Sequence, residues 1–362
     1  MVIGSKHHIP SVILFDEKQI EDIKRFCCPG DHAVQTVLGI DKTYNLGPLH
    51  VTPTVFKNLS LVRAGTKDHP IFMGPILIHG NSDFNTYASF LSTINASLDS
   101  ENPLIIGSDD EKSIRKAIKR SFINVYRVSC ERHLKENAIE YLTKKVRTNA
   151  EERKKITKQI FDLNGLTSSE DQVQLEEKLL EVTKEIKKTT PEFIDYFQTI
   201  LLPKINETLQ TIWRYPSICM HWTNNNCESL NHVLKMKINW TPQNIPRLIE
   251  TLREVVTSQY IDAERSLIRR GNFRLSESFR VFEQPREEWR EKSKEQKERY
   301  MKKILKTPLV KEKRQTSISK DQKLWIYTAP GGGKKKGQRK RMRNAKTTTV
   351  LKKKNKGFID SD

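Results

Sequence analysis

The sequence predicts an α/β fold: a mixed five-stranded sheet flanked by helices, interrupted by an all-helical insertion and followed by a basic, disordered tail. Three observations carry that expectation. Short apolar, β-branched runs alternate with helix-period segments between residues 34 and 129. Residues 135–213 are almost wholly helical in pattern and highly charged. Of the formal net charge of +20, residues 290–362 carry +18, from 25 Lys+Arg against 7 Asp+Glu.

The elements follow in order. Residues 16–26 repeat Ile20, Ile23 and Phe26 at helical spacing, and Cys28-Pro29-Gly30-Asp31 punctuates the helix end. Val34 to Ile40 is a short, nearly continuous apolar run, read as a central buried strand ending at Asp41. Strands at 50–56 and 71–79 with short connections make a meander, so the first and third run in the same direction. Residues 84–98 place Phe84, Tyr87, Phe90, Leu91 and Ile94 on one helical face, a crossover helix. A strand at 104–107 then runs parallel to the first and ends at Asp109. A helix at 111–122 and a strand at 124–129 continue the alternation.

The expected organisation is a helical lead-in at 1–32, a first core part at 33–134, the helical insertion at 135–213, core helices at 214–289 and the tail at 290–362. Within the insertion, Gly165-Leu166-Thr167-Ser168-Ser169 separates two long helices whose charged faces predict a solvated hairpin. After a loop at 221–226, helices are expected at 227–238 and 245–270.

A basic tail on a nearly neutral body predicts salt-sensitive affinity for phosphate backbones or a nuclear import signal. The densest run contains Lys334, Lys335, Lys336, Arg339, Lys340, Arg341 and Arg343, the candidate nucleic-acid contacts. No apolar run approaches the ~18–20 residues that span a bilayer, and the first residues lack a leader pattern, so no membrane partner is expected. Five cysteines without a repeated spacing argue against a disulfide framework and for a reducing compartment.

Three carboxylates stand at element ends: Asp41 in GIDKTYNLG, Asp109 in IIGSDDEKSI and Glu228 in TNNNCESLNHVLK. Such a trio suits magnesium or manganese, because hard cations take oxygen ligands and two of them stabilise both oxygens of an in-line phosphoryl transfer. Each acid also has a plainer explanation. Asp41 is a strand-ending turn residue, Ser108–Glu111 reads as an S-x-x-E capping box, and Asn225–Glu228 reads as a similar cap. Asp110 competes with Asp109 as the second acid. Cys130 and His133 supply two of the four ligands that structural zinc requires, so His133 is expected beside the acids and Cys130 packed at a strand end. Trp222 is read as core, with stacking on an extruded base as the minority alternative.

The order GIDKTYNLG, IIGSDDEKSIRKAI, SCERHLKENA and HWTNNNCESLNHVLK resembles the transposases of Mutator-like elements, over roughly residues 11–270. The resemblance implies an RNase H-like fold with a helical insertion between the second aspartate and the glutamate. It implies that Asp41, Asp109 and Glu228 bind catalytic Mg2+ or Mn2+, with the C-x-x-H pair, here Cys130 and His133, in the same interval. A DDE-type DNA transposase core is thus expected, acting on transposon ends and target DNA in the nucleus, as a homo-oligomer in the active complex. Members of that family usually carry a zinc-dependent DNA-binding domain ahead of the core, and this sequence starts almost at the core. The alternative is therefore a domesticated or inactive derivative that binds DNA without catalysis.

Overall fold

In the computed structural model, residues 2–3, 11–28, 30 and 34–309 are described. The basic run from Lys334 to Arg343 lies outside them. The first elements are strands β1 (Val2–Ile3) and β2 (Ser11–Leu14), helix α1 (Glu17–Cys27), and strands β3 (Leu38–Ile40), β4 (His50–Lys57), β5 (Leu61–Arg63) and β6 (Ile71–His79). Helix α2 (Phe84–Leu98), strand β7 (Leu104–Ser108), helix α3 (Lys112–Ser121) and strand β8 (Val125–Ser129) complete the alternating region.

The principal sheet has seven strands in the order β1-β2-β6-β4-β3-β7-β8, not the expected five. The two additions come from the lead-in: β2 pairs antiparallel with the free edge of β6, Ile13 opposite Leu77, and β1 pairs with β2. The expected relations among the other five hold. β3, β4 and β6 form an antiparallel meander, and β3 lies parallel to β7, which lies parallel to β8. β3 is shorter than its apolar run, because Gln35 and Thr36 spend their amides outside the sheet, Thr36 N–H on Phe26 O at 2.9 Å and Gln35 N–H on Ser217 Oγ at 3.3 Å. β5 pairs instead with β9 (Phe273–Leu275), a separate two-stranded ribbon.

Side-chain alternation divides each central strand between two cores. Leu38, Ile40, Leu104 and Ile106 pack with α1, α2 and α3, while Val37 and Ile105 face the opposite side. α1 is anchored by Asp16, whose side chain caps it, with Gln19 returning a bond to the Asp16 amide at 2.7 Å.

The insertion comprises α4 (Glu131–Tyr141), α5 (Ala150–Phe161), α6 (Gln172–Thr189), the three-residue helix α7 (Ile194–Tyr196) and α8 (Leu202–Arg214). It is more than a solvated hairpin. Leu134, Ala138, Ile156, Ile160, Val182, Ile186, Phe193, Phe197 and Leu209 form a core of their own, and the charged faces remain outside. Helices α9 (Asn225–Lys237) and α10 (Ile245–Ser266) then cover the second face of β4 and β6, with Cys227, Leu230 and Leu234 against Val51, Val55 and Ile78.

Disorder from Arg290 onward, expected from composition, fails for the first part of that segment. After α11 (Arg286–Glu291), helix α12 (Lys294–Leu305) starts with a Ser293 capping box and buries Ile304. Tyr300 closes it onto the body by donating to Phe282 O at 3.1 Å. Ile304, with Tyr300 and Met301 packed partly buried beside it, docks this helix despite its many lysines.

Candidate active site

The site is built from the carboxyl ends of β3 and β7. Their parallel register sets Ile40 opposite Ser108, so the next residues, Asp41 and Asp109, leave the sheet side by side. Ile40 faces the α1–α3 core, hence Asp41 turns to the opposite face, beneath α9. That helix sits unusually close to β3. A Cβ on Gly39 would lie 2.9 Å from Cys227 Sγ, so glycine is what permits the approach. The result is a bond from Asn231 Nδ2 to Asp41 Oδ2 at 3.2 Å.

Burial, and then the charge of Asp109, push the Asp41 carboxyl up to about 6. Asp109 is likewise raised, first by burial and also by Glu111. Both acids feel His133, which opposes the rise. His133 stands in the first turn of α4, its own pKa raised first by the neighbouring Cys130 and also by Asp109. Burial alone would push the Cys130 thiol up, yet His133 and the Asn224 amide outweigh it and hold it below its ordinary value. Cys130 is buried at 1% exposure and its sulfur accepts from Asn224 N at 3.4 Å. It is a packed strand-end residue that also ties α4 to the entry of α9.

Asp110 has a different task. It receives Lys204 Nζ at 2.5 Å, Arg115 Nη1 at 2.8 Å and Asn137 Nδ2 at 3.2 Å, joining α8, α3 and α4. Burial opposes ionisation, but Lys204 and Arg115 outweigh it and hold the carboxyl below its ordinary value. Asp110 is a structural hub; the Asp109 carboxylate keeps a single bond among the described residues, from Glu111 N at 3.3 Å.

The capping explanations both fail. Helix α3 has Glu111 at its N-cap with no side-chain cap bond, and Ser108 Oγ donates to Asp109 O at 2.9 Å instead. Helix α9 has Asn224 at its N-cap, also without a side-chain bond.

Glu228 lies in the first turn of α9 but is not joined to the aspartates. Arg132, next to His133, binds both its oxygens, Nη1 at 2.9 Å from Oε2 and Nη2 on Oε1. Among the described residues no group of three His, Cys, Asp or Glu side chains is arranged to hold a metal ion. The three expected acids therefore stand as a half-buried pair, Asp41 and Asp109, and a separately held Glu228.

The donor set of the pair is nonetheless suited to a hard cation. Two carboxylates stand at adjacent strand ends, and Asn231 Oδ1 and both polar side-chain atoms of the 1%-exposed Asn224 are buried without a hydrogen-bond partner among the described residues. Cys130 and His133, only two softer donors, do not make a zinc site.

The surrounding loop is fixed from both sides. His221 Nδ1 and Glu131 Oε2 lie 2.6 Å apart, and Glu131 N–H donates to Trp222 O at 3.1 Å. Trp222 itself is core, 8% exposed and packed so tightly over β7 that a Cβ on Gly107 would fall 2.3 Å from its ring. Stacking of an extruded base on Trp222 is thereby removed. Asn231, Asn224 and Arg132 were missed at the sequence level. Asn231 alone had a usable signal, standing three residues after Glu228 and so on a neighbouring face of the helix.

No protein-family model and no curated protein matches the chain. Among solved structures it is similar to "Drosophila P element transposase strand transfer complex", at 13% identity over 80% of this chain and 83% of that one, with a TM-score of 0.21. A likeness at that score carries no weight for fold or function.

Proposed function

We propose that this chain is the catalytic core of a DDE-type DNA transposase with an RNase H-like sheet, cleaving and joining DNA phosphodiesters with Mg2+ or Mn2+. The antiparallel meander followed by two parallel strands, with a helical insertion before α9, supports the fold reading. The observation that carries the chemistry is the half-buried Asp41–Asp109 pair. Two like charges at the ends of adjacent strands oppose their own ionisation, and a divalent cation between them would remove that cost while compensating a reacting phosphate. Asp41 and Asp109 would hold the cation, Asn231 would orient Asp41, and Glu228 would complete the site once released by Arg132. His133 would contact a DNA phosphate or orient an acid. The basic run at 334–343 is proposed to hold DNA and direct the chain to the nucleus.

The test is nicking and strand joining of DNA by the purified protein with Mg2+ or Mn2+. Asp41→Asn should abolish both; activity unchanged by that substitution refutes the assignment. A second reading, a transposase-derived DNA-binding protein without turnover, is favoured by the Arg132–Glu228 bond. Calorimetry separates the two. A catalytic core binds Mn2+ with an affinity that drops on Glu228→Gln, whereas the inactive derivative shows no Glu228-dependent binding.

A further inference from the structure

The corner that follows α9 carries an aromatic surface that the acid pair does not use. Asn239 has φ 50° and Trp240 φ 58°, two successive non-glycine residues in the left-handed region. One such residue is the ordinary way to stop a helix, and Asn239 does this with its amide on Met236 O at 3.0 Å. A second, bearing an indole, is a genuine outlier. In the ordinary stop the next apolar side chain folds back on the last turn. Trp240 folds back only as far as the His232 ring, edge-on at 5.7 Å, and the side chain stays 61% exposed, its amide on Lys235 O at 2.8 Å.

The corner is also fixed to the loop that begins at Asp41. Gln243 N–H donates to Leu46 O at 2.9 Å, and a Cβ on Gly47 would fall 2.8 Å from Gln243 O, so the two backbones touch. On that loop Tyr44 is 49% exposed, with Lys42 Nζ 5.4 Å from its ring centre. Tyr44 also meets His50 edge-on at 5.3 Å, and Lys42 is paired with Glu111 and Lys237 with Glu254, which leaves Lys235, whose carbonyl holds the Trp240 amide, as the nearby lysine without an ion pair among the described residues.

We infer that Trp240 is a stacking platform for an unpaired nucleobase of a strand whose backbone runs past Lys235. Every base offers a flat π face to such a ring, so recognition is of unpairedness rather than of sequence. The strained corner and the His232 ring edge hold the indole at the end of α9 with most of its surface open. This inference rests on the proposal that the substrate is DNA.

The test is binding of the full chain to a short oligothymidine strand in EDTA, followed by tryptophan fluorescence, at salt high enough to suppress lysine–phosphate contacts elsewhere. Trp240→Ala is expected to weaken binding about tenfold and Trp240→Phe far less, with most of the quenching lost in both. An abasic strand of the same length should not distinguish the wild type from Trp240→Ala. Oligothymidine affinity unchanged in Trp240→Ala overturns the inference, and is the result expected if a protein surface docks there instead. With the metal chelated, the binding assay does not depend on catalysis by the acid pair. Loss of the catalytic reading therefore shows in the cleavage assay alone, and loss of this one in the binding assay alone.

Discussion

Arg132 and Glu228 form a two-pronged ion pair across the gap between the first turns of α4 and α9, each side chain 40% exposed. The arginine occupies the carboxylate that would have to complete a three-acid site, so the pair sets whether α9 contributes an acid to the aspartates.

Arg132→Ala frees Glu228. Calorimetric Mn2+ affinity should rise, by about tenfold if one carboxylate ligand is gained, while the melting temperature barely moves, since a pair this exposed contributes about 0.2–1 kcal/mol. Unchanged Mn2+ affinity would show that the arginine is not withholding a ligand.

Asp41 imposes a pH dependence whose sign is fixed by its raised pKa. The folded chain holds this proton more tightly than the unfolded one, so the associated stability is complete near the ordinary value of 3.8 and is lost as the pH rises through about 6. Asp41→Asn, which cannot ionise, should be more stable than the wild type at neutral pH by on the order of 1–2 kcal/mol and no more stable near pH 4. Urea unfolding at the two pH values tests this, and an equal difference at both sinks it. Mn2+ affinity of the wild type should fall as the pH drops through about 6, because protons and cation compete for the same carboxylate.

Asp109 and Asp110 are neighbours with opposite expected phenotypes. Asp110→Asn leaves Lys204 and Arg115, 13% and 19% exposed, without their shared counter-charge and should cost about 3 kcal/mol in chemical denaturation. Asp109→Asn should keep the fold and lose Mn2+ binding. A swap of these two outcomes would move the second acid to Asp110.

Gly39 fixes the distance between β3 and α9. Gly39→Ala would bring its Cβ to 2.9 Å from Cys227 Sγ and 3.0 Å from Val55 Cγ2. The expected loss is about 1–3 kcal/mol, with DNA cleavage reduced further because Asn231 shifts from Asp41. Adding Cys227→Ala removes one of the two clashes and should return part of the loss; additive single effects would argue that the helix does not ride on this contact.

Much of the framework was legible in the sequence because it is dictated locally. Apolar periodicity located β6 and α2 to the residue, and the meander with the α2 crossover made β3 and β7 parallel, so Asp41 and Asp109 would share a sheet edge if the two strands were neighbours, as they are. The edge strands β1 and β2 were not legible, because a two- or four-residue strand has too few positions to show a period and exists only through its partner β6. The docking of α12 was likewise hidden by its lysines.

At the site, residue types and their order along the chain were fixed by the sequence, and the chemistry of three carboxylates followed from them. Which charges meet was decided only in three dimensions. Asp110 is consumed by Lys204 from 94 residues away, Glu228 by Arg132 from 96 residues away, and Asp41 receives Asn231 from a distance of 190. Long-range electrostatic partners leave no periodic trace in a sequence, because an ion pair demands proximity of two side chains and nothing of the residues between them.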